Sequence, residues 1–162
     1  MSIHTVQGDI CQASCDVIVN ASNGIGFMGG LIGLVWKCAG VAESIHYATR
    51  GKVEREAILK CLRHYIIGYM PGSVFVTGAY NLNCRFILHA VTMYLPGTFS
   101  TLGTVRRLLP KILQEARSLG ARTIAIPLLG TGVGRLKPEK VMALYEEAFS
   151  GTDDVDVFVY TL

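Results

Sequence analysis

Short β-branched runs and helix-period runs take turns along the whole of this chain. Val17-Ile18-Val19, closed by Asn20, reads as a buried strand. Residues 3–6, 73–77, 86–91, 123–126 and 155–161 read as further strands, with a turn around Asn81 to Asn83 separating the second and third of these. Helices are expected over 30–39, 41–49, 53–65 and 102–119, and a last one is opened by Pro138, where a missing N–H costs nothing. The 102–119 helix is the clearest: Leu102, Val105, Leu109, Ile112 and Ala116 fall at helical spacing, and Gly120 suits the position just past its end. Gly40 and Gly51 stop the two earlier helices, and Val141, Leu144, Tyr145 and Ala148 give the last one its apolar face. Strands alternating with helices predict a three-layer α/β/α domain around a mixed, mostly parallel sheet. At 162 residues, 51% apolar and only 17% charged, the chain can build one full core, and a single domain over 1–162 is expected. Sheets of this kind bind ligands at the carboxyl ends of their strands. The places to look are after Val19, after Ile126 and at the end of the last strand.

Two of those places carry glycine-rich loops. The first runs Asn20-Ala21-Ser22-Asn23-Gly24-Ile25-Gly26-Phe27-Met28-Gly29-Gly30, and the second Leu129-Gly130-Thr131-Gly132-Val133-Gly134-Arg135. Each is expected to deliver the chain into a helix, whose first N–H groups lack intrahelical partners and carry partial positive charge. Missing Cβ atoms let a phosphate approach such a backbone closely. A lone loop of this kind is often only a tight turn; two, both at strand ends, suggest a cradle for a diphosphate. Neither is a Walker A loop, since no Gly-Lys-Ser/Thr follows. Gly24, Gly26 and Gly29 match the spacing of a dinucleotide fingerprint, but the acid expected about 20 residues on would be Glu43 or a neighbour, inside a predicted helix.

Other classes are disfavoured. Fifteen Lys and Arg against 12 acids give a net charge of +3, which suits an anionic ligand without the basic stripe of a nucleic-acid binder. Five cysteines at irregular spacing do not form a disulfide framework, and Cys11 and Cys15 have no second pair to complete a zinc site. His4, His46 and His64 are scattered, so no metal and no cofactor is expected. His89 reads as a satisfied core histidine and Trp36 as core. No apolar run is long enough to span a membrane, and no signal-peptide layout precedes residues 3–6, so a cytoplasmic monomer is expected.

At the two loops the sequence resembles the macro domain family, over nearly its whole length. Gly8-Asp9-Ile10 resembles the family's opening motif, and DVIVNASN (16–23) its strand-and-amide signature. GAYNLNCRFILHAV (78–91) resembles its middle hairpin, and IAIPLLGTGVG (124–134) its phosphate loop. The resemblance implies ADP-ribose, or an ADP-ribosylated protein or nucleic acid, as the partner. It implies that Asp9 accepts from the adenine amino group beside the Ile10 backbone. Gly130, Thr131, Gly132, Val133 and Gly134 then wrap the diphosphate, Ala21 belongs to the same binding set, and Asn23, Gly29 and Gly30 meet the distal ribose. Tyr160 to Leu162 end the last strand, where family members pack a side chain on adenine, and Leu162 is the residue expected there.

Several macro domains hydrolyse the bond joining the distal ribose to its acceptor, which needs a positioned water and stabilised oxocarbenium-like charge. One branch has an acid just after the glycine run; here that place holds Ile32 or Gly33. GFMGGLIGLVWK (26–37) and the terminal YTL resemble another branch, the terminal-ADP-ribose glycohydrolases and antitoxins that remove ADP-ribose from DNA. Its acid corresponds here to Gly134, and its lysine to the neighbourhood of Thr92 or Met93. A third route leaves activation of the water to the bound diphosphate, with an asparagine orienting it. Asn23 is the candidate catalytic residue, and Asn20 is expected to hold the loop through backbone hydrogen bonds. The functions in play are therefore an ADP-ribosyl hydrolase acting on a protein, nucleic acid or O-acetyl-ADP-ribose, a non-catalytic ADP-ribose reader, and, third, an RNA-binding domain.

Overall fold

A computed structural model describes residues 3–35, 40–64 and 67–161. The expected core position of Trp36, the expected helix end at Ala39, Tyr65 and the adenine contact of Leu162 lie outside the described residues.

The strands are β1 (Ile3–Gln7), β2 (Val17–Asn23), β3 (Val74–Gly78), β4 (Phe86–Met93), β5 (Thr123–Pro127) and β6 (Asp156–Thr161). They form one sheet in the order β1-β6-β5-β2-β4-β3, parallel throughout except for the antiparallel edge pair β3 and β4. The helices are α1 (Gly30–Val35), α2 (Val41–Ala48), α3 (Lys52–His64), α4 (Leu102–Ser118) and α5 (Pro138–Phe149), with a 3-10 turn at Ile10–Gln12 that the sequence pattern did not reveal.

Period-two alternation splits the sheet's side chains between two cores. Val17, Val19, Leu88, Ala90, Ile124 and Ile126 face α4 and α5, where Val105, Leu109, Ile112, Val141 and Tyr145 complete one apolar cluster. Ile18, Ile87 and Ala125 point the other way, against Ile45 of α2, Val53 of α3, Met28 and Ile10. Helices therefore cover both faces, and the expected three layers and mixed sheet are present. Leu108 and Leu113 join the buried face of α4, which the simple spacing reading omitted. Thr101 caps that helix by accepting from the Thr104 N–H at 3.1 Å. Beyond its end, Gly120 takes φ +67°, where a Cβ would be costly.

β2 does not stop at Asn20. It pairs with β4 through Asn23, with a register shift between Ser22 and Asn23. The polar letters Asn20-Ala21-Ser22-Asn23 suggest a loop, but Asn20 is fully buried in the strand. Its side-chain Nδ2 lies 3.1 Å from Nδ1 of His89, whose Nε2 lies 2.9 Å from Thr77 Oγ1 and whose ring stacks on Phe75. Asn20 thus stitches β2 to β4 through a side-chain pair and does not hold the loop through its backbone. His89 is the core histidine the sequence suggests; burial, with Lys60 nearby, pushes its pKa down to about 3.

Candidate functional site

The carboxyl ends of β2, β4, β5 and β6 open onto one cavity of about 520 Å³, within the range of small-ligand sites. Its wall takes Ala21, Ser22 and Asn23 from β2, Thr92 and Met93 from β4, and Tyr160 and Thr161 from β6. Leu128, Gly130, Thr131, Gly132, Val133 and Gly134 supply the side after β5, and Gly40 to Glu43 the side at the start of α2.

The loop after β5 is a backbone structure. The Tyr145 hydroxyl donates to the Pro127 carbonyl at 2.6 Å and accepts from the Leu129 N–H at 3.0 Å, fixing the strand end to α5. Leu136 N–H closes on the Gly130 carbonyl at 2.9 Å, and Arg135 N–H on that of Gly132 at 3.0 Å. Gly130 has φ +76°. A Cβ on Gly134 would stand 2.6 Å from the Gly130 oxygen and 2.8 Å from Ser100 Cβ, so this position takes no side chain without rearrangement. Among the described residues, no partner accepts from the N–H groups of Gly132, Val133 or Gly134. Consecutive unpartnered N–H groups make an anion-binding concavity.

The loop after β2 is built differently. Asn23 Nδ2 donates to the Phe27 carbonyl at 2.7 Å, and its Oδ1 accepts from the Phe27 N–H at 3.1 Å. Each end of the amide is engaged once, and one N–H and one oxygen lone pair remain beyond that pairing. Gly24 is gripped between Tyr94, whose carbonyl takes its N–H at 2.9 Å, and Tyr69, whose N–H reaches its carbonyl at 2.8 Å. Behind the glycine run, Glu54 of α3 accepts from the N–H groups of Met28 at 2.7 Å and Gly30 at 3.0 Å. His46 of α2 completes the clamp: its Nε2 lies 2.8 Å from the Gly30 carbonyl and its Nδ1 3.3 Å from Glu54 Oε2. Two N–H groups of the glycine run, those of Met28 and Gly30, thus face an internal carboxylate.

Of the expected binding residues, the cavity brings together Ala21, Asn23, Gly130, Thr131, Gly132, Val133 and Gly134. Gly29 and Gly30 are outside its wall, as are Asp9 and Ile10. Asp9 caps the 3-10 turn, its Oδ1 accepting from Cys11 N–H at 2.9 Å, beside the end of β6, where Gly8 N–H donates to the Thr161 carbonyl at 2.9 Å. Sequence reasoning missed Phe27, Glu43 and the Glu54–His46 clamp. The sequence singles out Glu43 only as the acid a dinucleotide fingerprint would want, His46 only as one of several scattered histidines, and Glu54 not at all; only their assembly across α2, α3 and the loop reveals them. Ile32 is 71% exposed on α1, on a side chain unable to serve as an acid. Among the described residues no group of three or more His, Cys, Asp or Glu could hold a metal, and no helix is long and apolar enough to cross a membrane.

This architecture is shared with solved structures. The macrodomain of Mycobacterium tuberculosis DarG superposes with a TM-score of 0.83 over 99% of this chain and 98% of its own, at 24% identity. The macrodomain of Thermus aquaticus DarG does so with a TM-score of 0.81, each chain covered to 99%, at 26% identity. In sequence, the chain is 36% identical over 135 residues to the macro domain-containing protein SCO6450 of Streptomyces coelicolor, covering 82% of this chain and 73% of that protein. It is 35% identical over 133 residues to an O-acetyl-ADP-ribose deacetylase of Escherichia fergusonii, covering 81% and 68%. The Macro domain model matches residues 19–145, which hold the two glycine-rich loops, β3, β4 and β5 in full and β2 from Val19 on. The chain belongs to the macro domain family.

Proposed function

We propose that this protein binds ADP-ribose in the cavity and hydrolyses an ADP-ribosyl linkage on a protein, a nucleic acid or an acetyl group. The observation that carries the reading is the run of N–H groups at Gly132, Val133 and Gly134, which have no partner among the described residues and belong to cavity-lining residues. Such a nest suits a diphosphate, whose oxygens accept from several donors at once. The E. fergusonii relative, named for an ADP-ribose ester, supports the same ligand and an ester-type reaction. Tyr160 and Thr161 at one side and Asn23 with Phe27 at another give an adenosine and a distal ribose separate walls to meet. In this reading the molecule works as a cytoplasmic monomer.

A second reading is a non-catalytic reader of ADP-ribose. It is favoured by Ile32 and Gly134 standing where two hydrolytic branches carry an acid. One experiment separates them. The protein is incubated with ester-linked ADP-ribosyl protein, ADP-ribosylated DNA and O-acetyl-ADP-ribose, and free ADP-ribose is measured, alongside calorimetry with ADP-ribose and ADP. Release from one substrate establishes the hydrolase. Tight ADP-ribose binding without release from any establishes the reader. Failure to bind ADP-ribose sinks both.

A further inference from the structure

We infer that Glu43 is the proton-transfer group of this cavity, an inference that rests on the ADP-ribose reading above. Glu43 is the one carboxylate among the described residues that line the cavity. It stands in the first turn of α2, half-buried, and the missing Cβ of Gly40 makes room for it. A Cβ on Gly29 would lie 3.7 Å from its Cγ, so the side chain packs on the glycine run. At Gly40 the space a Cβ would fill is occupied by the Glu43 carboxylate itself. The side chain thus lies between Gly29 of the loop after β2 and Gly40 at the start of α2, in a cavity that Asn23 and Phe27 also line. With the diphosphate on the Gly130 to Gly134 side, the distal ribose extends to this end of the cavity.

Hydrolysis at the anomeric carbon of that ribose needs a base for the attacking water and an acid for the departing group. Glu43 can serve as both in turn. Its carboxylate takes one proton from water as the water oxygen bonds to the anomeric carbon. The bond from that carbon to the acceptor breaks, its electron pair leaving with the acceptor atom. Glu43 then returns the proton to that atom, so that ADP-ribose and free acceptor are the only products. No redox partner or further reactant is needed. The chemistry expected of an acid at the position of Ile32 or Gly134 is supplied instead from the next helix.

An acid in the first turn also favours the helix dipole, so the test must separate structure from chemistry. Glu43→Gln keeps the shape of the side chain and removes the exchangeable carboxyl proton; Glu43→Asp keeps the carboxyl group on a shorter stem. Turnover of ester-linked ADP-ribosyl protein, ADP-ribosylated DNA and O-acetyl-ADP-ribose is measured against pH for the full chain and both variants, with ADP-ribose affinity by calorimetry. Glu43→Gln is expected to lower kcat by on the order of 10²-fold or more, to leave the ADP-ribose Kd within about twofold and to abolish the acidic limb of the pH profile. Glu43→Asp should recover part of kcat. A Glu43→Gln enzyme that binds ADP-ribose and turns over like wild type overturns the assignment, as does a loss of turnover matched by an equal loss of affinity. Wild type that binds ADP-ribose but releases it from none of the three substrates overturns it too, while leaving the binding reading standing. Wild type that does not bind ADP-ribose removes both.

Discussion

Gly130, Gly132 and Gly134 alternate along one loop and meet quite different surroundings. Gly132 faces open space and has no positive φ, whereas Gly134 is backed by the Gly130 carbonyl and Ser100. Gly132→Glu should therefore fold with a melting temperature near that of wild type while losing at least tenfold in ADP-ribose affinity, since the new carboxylate enters an anion site of a cavity-lining residue. Gly134→Asp should instead be destabilised by roughly 1–3 kcal/mol, the usual cost of forcing atoms into a packed site. Circular-dichroism melts followed by calorimetry distinguish the two; equal stability of both variants would refute the crowding at Gly134. That crowding also answers whether an acid could be installed there: the loop has no room for one. The glycine pattern itself is visible in the letters of the sequence. Which glycine is replaceable is not, because Ser100 arrives from a segment some 30 positions away and only the fold brings it there.

At the scale of elements, the glycine run owes its shape to α2 and α3. Glu54 holds the N–H groups of Met28 and Gly30, and His46 holds the Gly30 carbonyl and faces Glu54. Removing the carboxylate leaves two donors and an imidazole without it in a buried setting, at roughly 1–3 kcal/mol for each unsatisfied group. Glu54→Ala should thus lower the urea midpoint clearly, and the freed loop should carry the cavity wall at Asn23 and Phe27 with it, weakening ADP-ribose. Wild-type stability in that variant would mean the clamp is not a structural support. α4 was legible because its apolar residues repeat at helical spacing and Gly120 marks its end. The extension of β2 was not, because Asn20, Ser22 and Asn23 are polar and local propensity favours a turn. Pairing with β4 outweighs that propensity, and His89 answers the buried Asn20 amide from the partner strand. The clamp escaped notice for a similar reason: Glu54 lies in a charged helical stretch whose buried and exposed acids look alike in one dimension.

For the whole molecule, a sheet buried on both faces places a titratable ring where water does not reach. Unfolded His89 takes up a proton near pH 6.5, while in the folded protein the ring resists protonation down to about 3. Between those values the unfolded chain binds more protons, so stability falls as the pH drops from 6.5 toward 3, by up to about 1.4 kcal/mol per pH unit from this group. Asp16 continues the trend at lower pH: the N–H of Arg122 and contacts from Thr123 hold its carboxyl below the usual range, and that contribution disappears as it protonates. Urea titrations at pH 7.5, 6 and 5 should show the midpoint falling, and an imidazole resonance of His89 titrating near 6.5 in the folded protein would contradict the burial argument. The order of strands has a temporal side as well. β1 is the edge strand, and its neighbour in the sheet is β6, the last strand in the chain. β1 must wait for β6 before it can pair, and until then the β5 edge is open as well. Until then both edges are open to wrong pairing. Because Tyr160 and Thr161 belong to β6 and line the cavity, the cavity lacks one wall until that strand joins the sheet, so the ligand cannot guide the pairing steps that precede it.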